Sequence, residues 1–225
     1  MGDAIGQILS LAVFVAISPV PIIGVVVMLA TPRARSNGPA FILGWVVGLS
    51  VVGAVVLLIS GGAGASDDGA PADWVNVLKL ALGAVAVILA AKQWRQRPRA
   101  GADPEMPAWM EAADRFTPGR AAGFGLLLSA ANPKNLLLVV AAAATIAQTG
   151  ASTGAQIAAL AVFVLIGTLG AGLPVVLYLA LGERSRTILD ELKAWMSTHG
   201  AAIMAVLFLV IGAKLIGDAI SGFSG

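Results

Sequence analysis

Apolar residues run along this chain in long unbroken stretches, without the stripes of an amphipathic helix or the alternation of a half-buried strand. The stretches are Ile5 to Ala30, Ala40 to Ser60, Trp74 to Ala91, Ala121 to Ala147, Ala155 to Leu181 and Gly200 to Ile220. Each is close to or longer than the roughly 20 residues with which a helix crosses bilayer hydrocarbon. There, every backbone polar group must be satisfied internally, which leaves only helices and closed barrels. Because barrel alternation is absent, the pattern predicts an all-α integral membrane protein with six transmembrane helices. Turn-rich segments separate the spans: the basic loop Thr31 to Pro39, the Gly/Ala/Asp loop Gly61 to Asp73, and a longer linker from Lys92 to Arg120. Within that linker the stretch Pro107-Ala108-Trp109-Met110 has the character of an interfacial segment.

Composition excludes the soluble alternative. The chain is 58% hydrophobic and 12% charged, whereas soluble domains are about a quarter charged because a charged shell solvates their surface. The absence of cysteine removes disulfides, thiolate-bound metals and thiol redox chemistry. A net charge of +2 is too small to point to nucleic acid. The first stretch lacks the basic start and clear cleavage site of a signal peptide, with Asp3 its only early charge, so it is read as a span.

The charges that are present set an orientation. Arg33 and Arg35 mark the first loop; Lys92, Arg95, Arg97, Arg99, Arg115 and Arg120 the third; Arg184, Arg186 and Lys193 the fifth. The second loop carries Asp67, Asp68 and Asp73 without Lys or Arg, and the fourth is uncharged. The positive-inside rule places the basic loops in the cytoplasm and both termini outside. From Glu183 to Thr198, Ile188, Leu189, Leu192, Trp195 and Met196 recur at helical spacing against charged residues, predicting a separate amphipathic helix on the cytoplasmic face.

The halves of the chain resemble each other. Phe14-Val15-Ala16-Ile17-Ser18-Pro19-Val20-Pro21 aligns with Leu128-Ser129-Ala130-Ala131-Asn132-Pro133-Lys134-Asn135. Ser and Asn are good N-caps, and proline suits the first helical position because its missing N–H would have no partner there. Each dipeptide therefore predicts a second half-helix starting inside the membrane. Three spans per half is an odd number, so the two repeats would insert inverted, an arrangement found in many secondary transporters. The expected organisation is a three-helix repeat over 1–91, a cytoplasmic linker over 92–120, and a second repeat over 121–225 carrying the interfacial helix near 183–198.

The half-helix starts would bring free N–H groups and positive dipole ends towards the midplane, an arrangement that attracts anions. Lys134 lies in the first turn of the second half-helix, where an ammonium costs roughly 2.5–3.5 kcal/mol on insertion scales, and no Asp or Glu lies in the body of any expected span. Its partner is a substrate phosphate, sulfate or carboxylate, or else it is neutral or held by backbone carbonyls and water. The candidate substrate-binding set is Ser18, Pro19, Pro21, Asn132, Pro133, Lys134, Asn135 and Tyr178, with no catalytic residue, metal or cofactor expected. Lys79 and Lys214 lie near outer span ends and are expected to snorkel, Lys214 with Asp218 in reach one turn on. His199 starts the last span, where a helix-terminus role outweighs a proton relay. Gly44, Gly48 and Gly53 form a small-residue face suited to close packing, or to a homodimer. Gly170, Gly172 and Pro174 read as a kink or hinge.

At Ile17-Ser18-Pro19-Val20-Pro21-Ile22, Ser36-Asn37-Gly38-Pro39-Ala40-Phe41, Gly44-Trp45 and Ala131-Asn132-Pro133-Lys134-Asn135-Leu136 the chain resembles the GAP (Sap-type) family of peptidoglycolipid- and sulfolipid-addressing proteins, within the LysE-type transporter superfamily. The resemblance covers nearly the whole chain. It implies a multi-pass transporter of the bacterial plasma membrane that exports or delivers envelope glycolipids, with membrane lipids and an anionic or glycolipid substrate as partners. Amino-acid exporters of the superfamily carry Pro-Gly-Pro where this chain has Pro19-Val20-Pro21, which argues against a free amino acid. The alternatives are a proton-coupled exporter of a small metabolite or amino acid, weakened by the lack of a buried carboxylate, and a non-transporting scaffold of a lipid-export machine. An enzyme is not expected, since no catalytic cluster falls within the spans.

Overall fold

The computed structural model describes residues 2–62, 66–67, 70–71, 73–96 and 116–224. The Pro107 to Met110 stretch, Asp68, Arg97, Arg99 and Arg115 lie outside the described residues, as does most of the 92–120 linker. The described chain is almost entirely helical. Helices α1 (Gly2–Ala16) and α2 (Pro19–Leu29) meet at a bend of 41°. α3 (Ala34–Gly62) and α4 (Asp73–Arg95) follow, with a two-residue antiparallel pair, Ser66–Asp67 against Ala70–Pro71, in the connection. α5 (Pro118–Ala130) and α6 (Pro133–Gln148) meet at a sharper bend of 62°. α7 (Thr153–Leu181), a 3-10 turn (Gly182–Ser185) and α8 (Arg186–Ser224) complete the chain.

Among the described residues, three helical stretches are long and apolar enough to cross a membrane, or up to five if each bent pair counts as one span. The last of the three, Thr153–Phe223, covers 71 residues. As one helix it would be about 107 Å long, over three times the hydrocarbon thickness. It is interrupted at Gly182, whose φ of +56° ends α7 and admits the 3-10 turn.

Two expectations are corrected. The basic loop does not extend to Pro39, because α3 already begins at Ala34 and holds Pro39 inside it. Its start is tied down by Ala34 and Asn37 donating backbone N–H bonds to Thr31 and Arg33 at 3.1 and 2.9 Å, and by Asn37 Nδ2 donating to the Phe116 carbonyl at 3.0 Å. Nor is the amphipathic stretch 183–198 a separate helix. From Arg186 onward it is the first part of α8, which continues unbroken to Ser224. Leu189 and Met196 are buried on its inner face, and the exposed Trp195 stacks on His199.

Glycines set the closest helix contacts. A Cβ at Gly44 would land on the Ala122 carbonyl, one at Gly48 on Ser129 Oγ and one at Gly53 on Leu160. The glycine face of α3 is thus filled by α5 and α7 of the same chain. Gly170, one of the residues read as a kink, instead lets α7 lie on the Ala16 carbonyl at the end of α1, within a continuous helix. α4 and α8 run antiparallel with a reciprocal contact. A Cβ at Gly83 would meet Ile216 and the Gly212 carbonyl, and one at Gly212 would meet Val87 and the Gly83 carbonyl. At the centre lies α6, apolar around most of its circumference and buried along most of its length, as such a helix must be.

Candidate functional site

The first break follows from its prolines. Ile17 N–H still reaches the Val13 carbonyl at 3.0 Å, but no backbone donor follows for Phe14, because the chain turns extended at Ser18 (φ −97°, ψ 110°) before Pro19 starts α2. α2 regains its ladder when Ile22 N–H bonds the Ser18 carbonyl at 3.3 Å. Ser18 is buried yet makes no side-chain cap bond. Of the first three helical positions only Val20 has an N–H, since Pro19 and Pro21 have none. The anion-attracting start expected here is therefore reduced to one backbone donor.

The second break repeats the backbone pattern at every aligned position. Ala131 N–H bonds the Leu127 carbonyl at 2.8 Å, and Leu136 N–H bonds the Asn132 carbonyl at 2.9 Å. Its side chains do more. Asn132 Oδ1 accepts from Lys134 N–H at 3.1 Å, a true N-cap, and Asn135 Nδ2 donates to the open Leu128 carbonyl at 2.9 Å.

Lys134 joins the two breaks. Its Nζ donates to the Phe14 carbonyl at 2.6 Å, and the residue is 1% exposed. Phe14 is the aligned counterpart of Leu128, so neighbouring residues of α6 satisfy the equivalent open carbonyl of each half. A cation at the C-terminal end of α1 also faces the negative end of that helix's dipole. Of the partners open to Lys134, the structure places a backbone carbonyl against it. Two further buried polar atoms have no hydrogen-bond partner, the acceptor Asn135 Oδ1 at the second break and the donor Trp45 Nε1 on α3, which passes α5 at Gly125.

The candidate set divides. Ser18, Pro19, Pro21, Asn132, Pro133, Lys134 and Asn135 occupy the paired breaks, with Pro133 the most exposed of them. Tyr178 is buried in α7 but lies eight residues, about 12 Å of helix, beyond the Gly170 contact with the first break. A second polar group was only partly legible. Lys79 does not snorkel, being 6% exposed in the seam between α4 and α8. Lys214 does pair with Asp218, at 2.6 Å, and α8 runs on past Asp218. Asn76, one turn before Lys79, escaped notice altogether; the signal was its spacing from Lys79 on an otherwise apolar helix.

Comparison with known proteins decides the relationship. The family described as "Sap, sulfolipid-1-addressing protein" matches residues 8–221, a range that contains both breaks and most of the α4–α8 seam. The chain belongs to this Sap family. No curated protein and no solved structure matches it significantly. Family membership and the long apolar helices together make it a membrane protein with a lipid-related role.

Proposed function

We propose that this Sap-family protein is a plasma-membrane transporter, and no enzyme, that exports or translocates an anionic or amphiphilic envelope component, a glycolipid or its precursor. It does so through the paired breaks, in a chain of six spans with both termini outside. α1–α2 and α5–α6 each form one bent span, α3 and α4 the next two of the first repeat, and α7 and α8 those of the second. The matching backbone bonds at the two breaks and the reciprocal Gly83–Gly212 contact support an inverted repeat of the LysE-type superfamily.

The observation that carries the reading is the Lys134 hydrogen bond to Phe14, a direct contact between the two breaks at the buried centre. One acceptor occupies one of three ammonium donors. When the repeats rock, Lys134 exchanges the Phe14 carbonyl for the anionic headgroup of the cargo. Asn135 Oδ1 and Trp45 Nε1 offer an acceptor and a donor to sugar hydroxyls. The test is transbilayer movement of a fluorescent anionic lipid in vesicles holding the purified protein. Wild type moves the lipid and a well-folded Lys134→Ala protein does not.

A second reading is a scaffold of an export machine without its own pathway, favoured by the near-complete burial of Lys134. It requires that neither protein moves lipid in that assay. A proton-coupled small-metabolite exporter would instead move a soluble substrate with a proton and leave the lipid in place.

A further inference from the structure

Away from the breaks, the α4–α8 seam gathers charge that the transport reading leaves unused. Asn76 and Lys79 stand one turn apart on α4, while Lys214, Asp218 and Gly222 follow at four-residue intervals on one face of α8. The helices run antiparallel here, so the two sets face each other. Lys214 and Asp218 form an ion pair, and both charges act on the buried Lys79, the carboxylate attracting it and the ammonium repelling it. Two lysines thus share a single carboxylate in the seam. Asn76 is fully buried, its amide lies over Gly222, and neither Oδ1 nor Nδ2 has a hydrogen-bond partner. A Cβ at position 222 would collide with that amide, so the glycine is what lets it lie there.

A buried amide with both ends unsatisfied beside two lysines that share one carboxylate is costly unless something completes it. The missing member must suit the lysines by being negative, and must both accept from Nδ2 and donate, through a hydroxyl, to Oδ1. It must also arrive sideways. The seam is reached from the side between two helices, where the Lys214 and Asp218 side chains are 28% and 35% exposed, and the flanking exposed residues are the apolar Val77, Ile220 and Phe223 together with Asp73 and Ser221. In a spanning chain such a lateral opening faces lipid.

We propose that the α4–α8 seam is a binding site for the anionic headgroup of a membrane lipid, held by Lys79 and Lys214 with Asn76 donating to it and Asp218 tempering the charge. The site rests on the membrane-spanning reading and not on transport through the breaks. Lys79 lies six residues inside α4, about 9 Å of helix.

The experiment uses the full chain in detergent, stripped of lipid and offered equal phosphatidylglycerol and phosphatidylcholine, with retained lipid read by native mass spectrometry. Wild type retains phosphatidylglycerol preferentially. Lys79→Gln lowers that retention about tenfold, the worth of one charge-assisted contact. Asp218→Asn raises it, because the competing negative charge is gone. This opposite sign keeps the test decisive if Lys79→Gln fails to fold. Equal retention of both lipids by wild type overturns the proposal, as does unchanged retention in folded Lys79→Gln or reduced retention in Asp218→Asn. Release of the lipid by millimolar inorganic phosphate would make this a free-anion site and overturn the lipid assignment. The seam is scored by the part of retention that depends on Lys79, and the transport reading by the lipid movement in vesicles that depends on Lys134, so the failure of one and the failure of the other are told apart.

Discussion

The two breaks share a backbone and differ in who finishes it. At both, the same aligned N–H groups bond the same aligned carbonyls on either side of a polar-proline dipeptide. At the second, Asn132 caps α6 and Asn135 closes the carbonyl of Leu128. At the first, Ser18 caps nothing, and the positions aligned with Lys134 and Asn135 are Val20 and Pro21, which have no side-chain donor. The open carbonyl of the first half is instead closed by Lys134 of the second. Matching folds have thus been given unequal chemistry: both halves bend, and one repeat supplies the side chains that close the open carbonyls of both.

The comparison breaks most visibly where helices lie on bare backbone. Gly44→Val and Gly170→Val each drive a side chain into a carbonyl, of Ala122 and Ala16 respectively. Each should cost about 3 kcal/mol or more, since neither backbone has room to yield. Unfolding in mixed micelles reads this, and a large difference between the two would mean that the halves are not packed alike. Removing one cap at a time sharpens the contrast between the breaks. Asn135→Ala orphans Leu128 within its own repeat and should cost about 1–3 kcal/mol. Lys134→Ala orphans Phe14 across the repeats and costs the same or less, because a buried cation disappears with the bond. Its signature is therefore lost coupling between the halves, read as faster proteolysis or hydrogen exchange around Phe14. The smallest effect separates the caps themselves. Asn132→Ala should lose about 1 kcal/mol and Ser18→Ala no more than about 0.5, because only the first removes a cap bond.

The positions of the breaks were legible because proline announces a missing donor wherever it occurs. For the same reason the start of α3 was misplaced. Pro39 reads as loop, yet it sits near enough to the helix start that the turn at Thr31 to Asn37 and the Asn37 bond to Phe116 hold it in place. Lys134 was singled out by its cost in hydrocarbon, but its acceptor is a backbone carbonyl, and carbonyls leave no mark in a sequence. The glycine face of α3 pointed to close packing without naming the partner. Lys79 was misjudged because distance from a helix end says nothing of what the neighbouring helix covers. Asn76 was silent for want of a charge.

The bond from Lys134 to Phe14 also has a timetable. The two residues are 120 positions apart, and at about 5–20 residues per second the second is made roughly 6–24 s after the first. Through that interval the end of α1 has no Lys134 to close its carbonyl. The nascent first repeat must therefore keep the Phe14 carbonyl in contact with water or the insertion machinery until α6 arrives, and the last polar contact of the first break becomes a late step of biogenesis.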